Sequence, residues 1–536
     1  MAQAAFKCGA HARALLFFEQ HVRSLSPTHQ GLNTACSPIH QTQIADQDVR
    51  FLQQIYSQLE EPDGLGGLLR LRSEAPPLED QVLALERAGK FAEALSLYEL
   101  GVQQESRVAE GRPEDGGDHG LTPNERGRLH CLLRMGHLQQ VITQVDGLVE
   151  GISGPAKQDL ASNAVAAAWR LGQWSTIDKY LDLATEPTQG DLRDPSVALT
   201  PDNNWEVRMG FLLRSAERQE WKTFHDALDK ARREILGPLS AASMESYTRA
   251  YPHMVQLHIL EEMESFARSI QNPSTHPLAK LQLEERLQVL QTSLPTHEPL
   301  LAMRAQMSLL AGDEEEAGKA WLRLAKTCRR SGHIEAATTF CLESLSRGVL
   351  GAGLEYAKLL WTTDNPYRAI TSLRDSLKQL EKDIEVRSSK ARTSGRGTGQ
   401  VADTRLHSLR EAHTKMLLQL ARWSAESHQG SRSDVMSLFS QVVQAEGQWE
   451  KAYFFLAQYL DNLMVDAKKR NPEPPGQGNV RSAQRTGGRV RIELARDAHY
   501  TELLPQVVDN YVEALARGHR HILQAMPRML TIWYVT

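Results

Sequence analysis

The chain has 536 residues, with 61 Lys and Arg against 66 Asp and Glu, for a formal charge of -5. That balance gives no whole-chain electrostatic case for binding nucleic acid or an anionic membrane. With 41% hydrophobic and 24% charged residues it describes a folded chain with ample core rather than a disordered one. No run approaches the ~18 apolar residues of a membrane span. The apolar stretch Ala14 to Phe18 is too short for a signal-peptide core of about 7–15 residues. The five cysteines (Cys8, Cys36, Cys131, Cys328, Cys341) are scattered without a C-x-x-C pair, which argues against a disulfide scaffold or structural zinc. A soluble intracellular protein is expected.

In chain order, one pattern recurs: a Gly, a large residue two places on, and a small or branched apolar residue five places on. The copies are Gly9-His11-Ala14, Gly89-Phe91-Ala94, Gly136-Leu138-Val141, Gly172-Trp174-Ile177, Gly332-Ile334-Ala337 and Gly447-Trp449-Ala452. Degenerate copies place Gln219 before Trp221 and Phe224, and Asp364 before Ala369. Each runs on with helical spacing, as in Phe91, Ala94, Leu95 and Tyr98. The physical reading is a stop in the left-handed conformation, which Gly takes without steric cost, followed at once by an antiparallel helix. Gly136 to Gly172 spans about 36 residues, close to the tetratricopeptide period of 34. Single helix pairs cannot bury their apolar faces, so an all-α solenoid of tetratricopeptide-like or HEAT-like repeats is predicted. The repeat region is expected to fill 1–536, broken by disordered inserts at 24–45, 104–124, 384–404 and 466–492, where Gly, Pro and Ser cluster.

No motif in the chain carries chemistry. Gly395-Arg396-Gly397-Thr398-Gly399 lacks the third glycine of a dinucleotide loop and no strand precedes it. Gly312 to Lys319 has five intervening residues where a phosphate loop needs four, and Glu314, Glu315 and Glu316 would repel phosphate; it reads as a helix-pair turn. His253 and His258 are five apart and leave one helical face; His519 and His521, two apart on an expected helix, point to different sides. The kinase motifs H-R-D, D-F-G and V-A-I-K are absent. No catalytic, cofactor-binding or metal residue is assigned, and no cofactor is expected. The basic loop Lys468, Lys469, Arg470, Arg481, Arg485, Arg489 and Arg491 has no interleaved aromatic residues and reads as a solvated linker. Arg517, Arg520 and Arg528, with His519 and His521, read as a solvated face of the last helices.

Specific blocks carry a family resemblance. The stretch EPDGLGGLLRLR at 61–72, running on to LERAGKFAEA at 85–94, resembles the FAT region of phosphatidylinositol-3-kinase-related kinases, and of the ATR type most of all. Similar blocks follow at Val141 to Gly147, Ala167 to Trp174, Pro238 to Tyr247, Leu354 to Trp361 and Gly447 to Ala457, ending with MPRMLTIW at 526–533. The resemblance implies a regulatory helical scaffold of a nuclear serine/threonine kinase in the DNA-damage and replication-stress checkpoint. It implies a clamp around a kinase domain of the same polypeptide, missing from this stretch, and an ATRIP-type partner. The chain is then expected to be a fragment, a partial gene model or a truncated product, inert on its own. Other proteins are expected as partners; direct nucleic acid and membrane contacts are not. The other reading is a free-standing tetratricopeptide-like adaptor, which a polar peptide groove would favour and a large bare apolar patch would disfavour.

Overall fold

The computed structural model describes residues 1–7, 11–25, 46–59, 64, 67–68, 78–109, 121–152, 154–185, 201–272, 276–393, 399–428, 430–445, 447–470 and 498–535, and these are helices joined by turns, with no strand among them. The chain divides into two compact units, Met1–Arg347 and Gly348–Thr536. Unit 1 runs through α1 (Ala2–Lys7), α2 (His11–Leu25), α3 (Asp46–Leu59), α4 (Leu78–Arg87), α5 (Phe91–Ala109), α6 (Pro123–Met135), α7 (Leu138–Leu148), α8 (Pro155–Leu171) and α9 (Trp174–Thr185). It continues with α10 (Pro201–Glu217), α11 (Trp221–Glu245), α12 (Tyr247–Gln271), α13 (His276–Val289), α14 (Leu294–Leu310), α15 (Glu314–Arg330) and α16 (Ile334–Ser346). Unit 2 holds α17 (Ala352–Thr362), α18 (Pro366–Thr393), α19 (Gly399–Glu426), α20 (Arg432–Ala445), α21 (Glu450–Arg470), α22 (Ala498–Arg517) and α23 (Ile522–Val535).

The recurring turn has one geometry. Gly89, Gly136, Gly172 and Gly332 have φ between 71° and 84°. The next residue donates its N–H five residues back, as Lys90 does to Leu85 O and His137 to Leu132 O, the bond that closes a Schellman cap. The following helix starts two residues after the Gly, at Phe91, Leu138, Trp174 and Ile334. The residue at the fifth place donates the first bond of the new helix to the capping residue, as Ala94 does to Lys90 O and Val141 to His137 O. That residue lies over the junction of two helices, and Ala94, Val141, Ile177, Phe224, Ala317, Ala337 and Ala369 are all fully buried.

Both degenerate copies follow suit, since Gln219 and Asp364 each adopt φ 58°. Gly312 does the same at 75°, with α15 starting at Glu314, so the segment that superficially suggests a phosphate loop is one more helix-pair turn. Gly447 is different: it does not take the left-handed conformation, and its helix starts at Glu450 rather than Trp449. Gly9 lies outside the described residues.

The helices within unit 1 are not equivalent. In α8 every residue from Leu160 to Arg170 is buried, and in α14 every residue from Leu300 to Ser308. A helix buried all round is a core helix, and Ala161, Ala164, Ala166, Ala167 and Ala168 let neighbours approach α8 closely. In unit 2 the core joins α17 through α23, with Trp361 stacked on Trp423 at 4.6 Å between ring centroids. Within the expected inserts, helices occupy 24–25, 104–109, 123–124, 384–393, 399–404 and 466–470. The basic positions from Arg481 to Arg491 lie outside the described residues.

Candidate interaction surfaces

Two polar networks hold the core of unit 1 together. Arg170, at the end of α8, donates from Nη1 and Nη2 to the Glu206 carboxylate of α10 at 2.6 and 3.0 Å, and from Nε to Glu298 of α14 at 2.6 Å. Its guanidinium lies over the Trp169 ring, whose Nε1 also donates to Glu206 at 2.8 Å. Burial works against the Arg170 charge, but the two carboxylates outweigh it, so the guanidinium holds its proton more tightly than usual. Gln306 of α14 donates to the Arg170 carbonyl at 3.3 Å, and a Cβ on Gly172 would sit 2.7 Å from its Oε1. The second network pairs Arg304 of α14 with Glu262 of α12 at 2.7 and 2.6 Å, with His258 at 3.0 Å. Burial raises the Glu262 carboxyl, and the bonds from Arg304 and His258 bring it below the usual range. His258 is therefore a packing residue. Near the far end of the unit, His137 pairs with Glu335 at 2.6 Å, so the turn before α7 abuts α16. These groups pair distant helices of the unit with one another. Cys131, Cys328 and Cys341 are buried free thiols, and burial, helped by Glu86, pushes the Cys131 thiol up to about 12, which leaves it unreactive.

Unit 2 ends in a rigid platform. Arg528 of α23 makes a bidentate pair with Asp461 of α21, both contacts at 2.7 Å. Arg517 donates from Nε to Gly447 O at 2.5 Å, and the His521 N–H donates to Glu450 at 2.8 Å. The His521 ring stacks on Phe454 at 4.3 Å. The expected solvated face is therefore corrected: Arg517, Arg528 and His521 face α21 because its carboxylates and rings reach them. His519 and His521 sit in the link between α22 and α23, not on a helix.

Anchored this way, α23 turns Ala525 and Ile532 into the core and leaves its other face outside. Leu523 is 88% exposed, Trp533 77% and Tyr534 88%, with Met526 and Leu530 between them. Positions 523, 526, 530, 533 and 534 follow helical spacing, so they form one continuous apolar stripe. Contiguous apolar surface of this kind marks an interaction site.

Beside the platform lies a group of cations. Arg422 of α19 and Lys451 of α21 share the Phe455 ring, at 4.0 and 5.8 Å from its centroid. Burial lowers the Lys451 ammonium, and Arg422, Arg520, Lys358 and Lys415 lower it further. These residues are spread from α17 to the link between α22 and α23, which is why no local sequence signal announces them.

Among the described residues there is no group of three or more His, Cys, Asp or Glu placed to hold a metal, and no helix is long and apolar enough to cross a membrane.

The FAT domain family model matches residues 161–531, and a model for the serine/threonine-protein kinase ATR M-HEAT region matches residues 1–85. The whole chain aligns at 34% identity with 19% of the serine/threonine-protein kinase ATR of Oryza sativa subsp. indica, and at 33% with 19% of that of Arabidopsis thaliana. The chain thus spans about a fifth of the length of the relatives it matches. A solved structure, the yeast Tom70 crystal structure, aligns over 85% of this chain and 95% of its own at 11% identity, with a TM-score of 0.22, too low to bear on the arrangement of helices. On the match over residues 161–531, this chain belongs to the FAT domain family.

Proposed function

We propose that the chain is the regulatory scaffold of an ATR-like serine/threonine kinase of the nuclear DNA-damage and replication-stress checkpoint. In this reading it grips a kinase domain belonging to the longer polypeptide and biases its active-site geometry, in an assembly with an ATRIP-type partner. One observation supports the grip: the apolar stripe of α23, held in fixed orientation by the Arg528–Asp461 pair and the His521–Glu450 bond. A surface built rigidly and left apolar suits a permanent intramolecular contact, since an obligate interface is more hydrophobic than a transient one. The same stripe favours the scaffold over the free-standing adaptor. The role is mechanical, through small rigid-body shifts of packed helices.

The test is phosphotransfer to a Ser-Gln peptide. The purified chain alone transfers no phosphate from ATP, and added to an isolated ATR-type kinase domain it changes kcat/KM. Robust ATP hydrolysis by the chain alone, or an unaltered kinase domain at saturating chain, contradicts the proposal.

A further inference from the structure

Unit 2 keeps two cations that it does not pair. Lys451, at the start of α21, and Arg520, in the link before α23, have no carboxylate partner among the described residues. The cations around them are matched: Lys358 with Glu355, Lys415 with Glu411, and Arg422 more loosely with Glu426 at 3.7 Å. Glu450, next to Lys451 in sequence, turns its carboxylate to the His521 N–H instead. Lys451 is left half-buried against the Phe455 ring it shares with Arg422, and Arg520 is exposed.

These charges gather at one end of the apolar stripe. Arg520 and His521 lead directly into α23, and Leu523 is the first residue of the stripe. Lys451 and Arg520 both act on the His521 ring, which places them at that end together. The N-terminus of α23 adds the positive end of a helix dipole at the same place. The surface thus has a direction: cationic where α23 begins, apolar from Met526 through Leu530 to Trp533 and Tyr534.

That order constrains whatever covers it. A body seated on the stripe takes the neighbouring cations out of water as well, and a cation buried without a counter-charge is strongly unfavourable. Lys451 is already close to that state, since burial and the surrounding cations lower its ammonium. A purely apolar partner would leave both cations unpaired, and a basic one would be repelled. We propose that the partner surface seated on α23 carries aspartate or glutamate side chains opposite Lys451 and Arg520, beside an apolar patch that meets Met526, Leu530 and Trp533. This rests on the scaffold reading, in which the partner is the kinase domain. It adds the sign of that surface and the direction in which it lies along the helix.

The experiment follows association of the full chain with an ATR-type kinase domain by stopped flow, at about 0.05 M and about 0.5 M salt, the higher of which screens exposed charges beyond a few ångströms. The on-rate of the parent chain falls about tenfold between the two, as electrostatic steering requires. Lys451→Glu with Arg520→Glu slows association about tenfold at the lower salt, and the difference closes at the higher. Lys222→Glu with Lys230→Glu, the same charge change at exposed positions of α11 in unit 1, leaves the on-rate in place. A parent on-rate that does not fall with salt overturns the proposal, and that comparison needs no variant to fold. So does equal slowing by the α11 pair, or faster association of the Lys451 and Arg520 variant. In each of those cases the chain still binds and the scaffold reading stands; no binding at either salt overturns both.

Discussion

In unit 1 the two deepest helices meet through charge: Arg170 of α8 reaches Glu298 of α14, 128 residues away in sequence, while Gln306 reaches back to the Arg170 carbonyl. In unit 2 the core contacts are mostly rings and methyl groups, such as Trp361 on Trp423, and the long-range polar pair, Arg528 with Asp461, anchors the surface helix α23 instead. Unit 2 also keeps an apolar stripe and a cation group at its surface, whereas unit 1 pairs most of what it buries. The same turn builds both units, so the difference lies in what each face is for. Unit 1 uses its polar pairs to join its deepest helices, and unit 2 uses its own to fix the surface helix α23 in place.

The largest effect expected from breaking this contrast is in unit 1. Arg170→Met leaves Glu206 and Glu298 facing each other without their cation, which costs on the order of 3 kcal/mol. Calorimetry should show unit 1 melting earlier while unit 2 keeps its transition; a shift confined to unit 2 would reverse the assignment. Next is Gly172→Ala, which combines a left-handed φ of 71° with a Cβ 2.7 Å from Gln306 Oε1 and should cost about 2 kcal/mol. Its counterpart in unit 2 runs the other way. Asp364→Gly removes the strain of a side chain at φ 58° and should stabilise that unit by about 1 kcal/mol in urea titration.

The two units also differ in their response to pH. Glu262 has a lowered folded pKa, so its contribution is complete above the ordinary carboxylate range. It is lost as pH falls through the folded value, and unit 1 should weaken in acid, an effect that Glu262→Gln should diminish. Lys451 has a lowered folded pKa against its ordinary 10.5. The unfolded state therefore holds more protons between the two values, and unit 2 gains stability as pH rises across that window. Lys451→Met should flatten the alkaline rise seen by circular dichroism. The smallest effect on stability is expected at the stripe: Leu523→Ser and Trp533→Ser, both at exposed positions, should stay within about 0.5 kcal/mol of the parent.

The turns of both units are written locally and can be read from the chain. A residue in the left-handed conformation, the helix start two places later and the buried residue at the fifth place all depend on a few consecutive residues, and even Gln219 and Asp364 keep that geometry. Gly312 lacks the large apolar residue two places on, since Glu314 stands there, yet the segment still reads as a helix-pair turn and is one. The Arg170 network is invisible in sequence because its carboxylates lie 36 and 128 residues away, and nothing local distinguishes Arg170 from a surface arginine. The stripe is half legible. The spacing of Leu523, Leu530 and Trp533 shows an amphipathic helix, yet the same spacing describes a core face, and only the anchoring of Arg528 to Asp461 shows which side is out.

The most direct measurement of the scaffold role is a binding isotherm between this chain and an ATR-type kinase domain, compared with the chain carrying Leu523→Ser, Trp533→Ser and Tyr534→Ser together. Three exposed apolar side chains at the centre of an interface should weaken binding at least a hundredfold, with the melting of unit 2 unchanged. Equal affinity for both proteins would contradict the assignment of α23 as the gripping face.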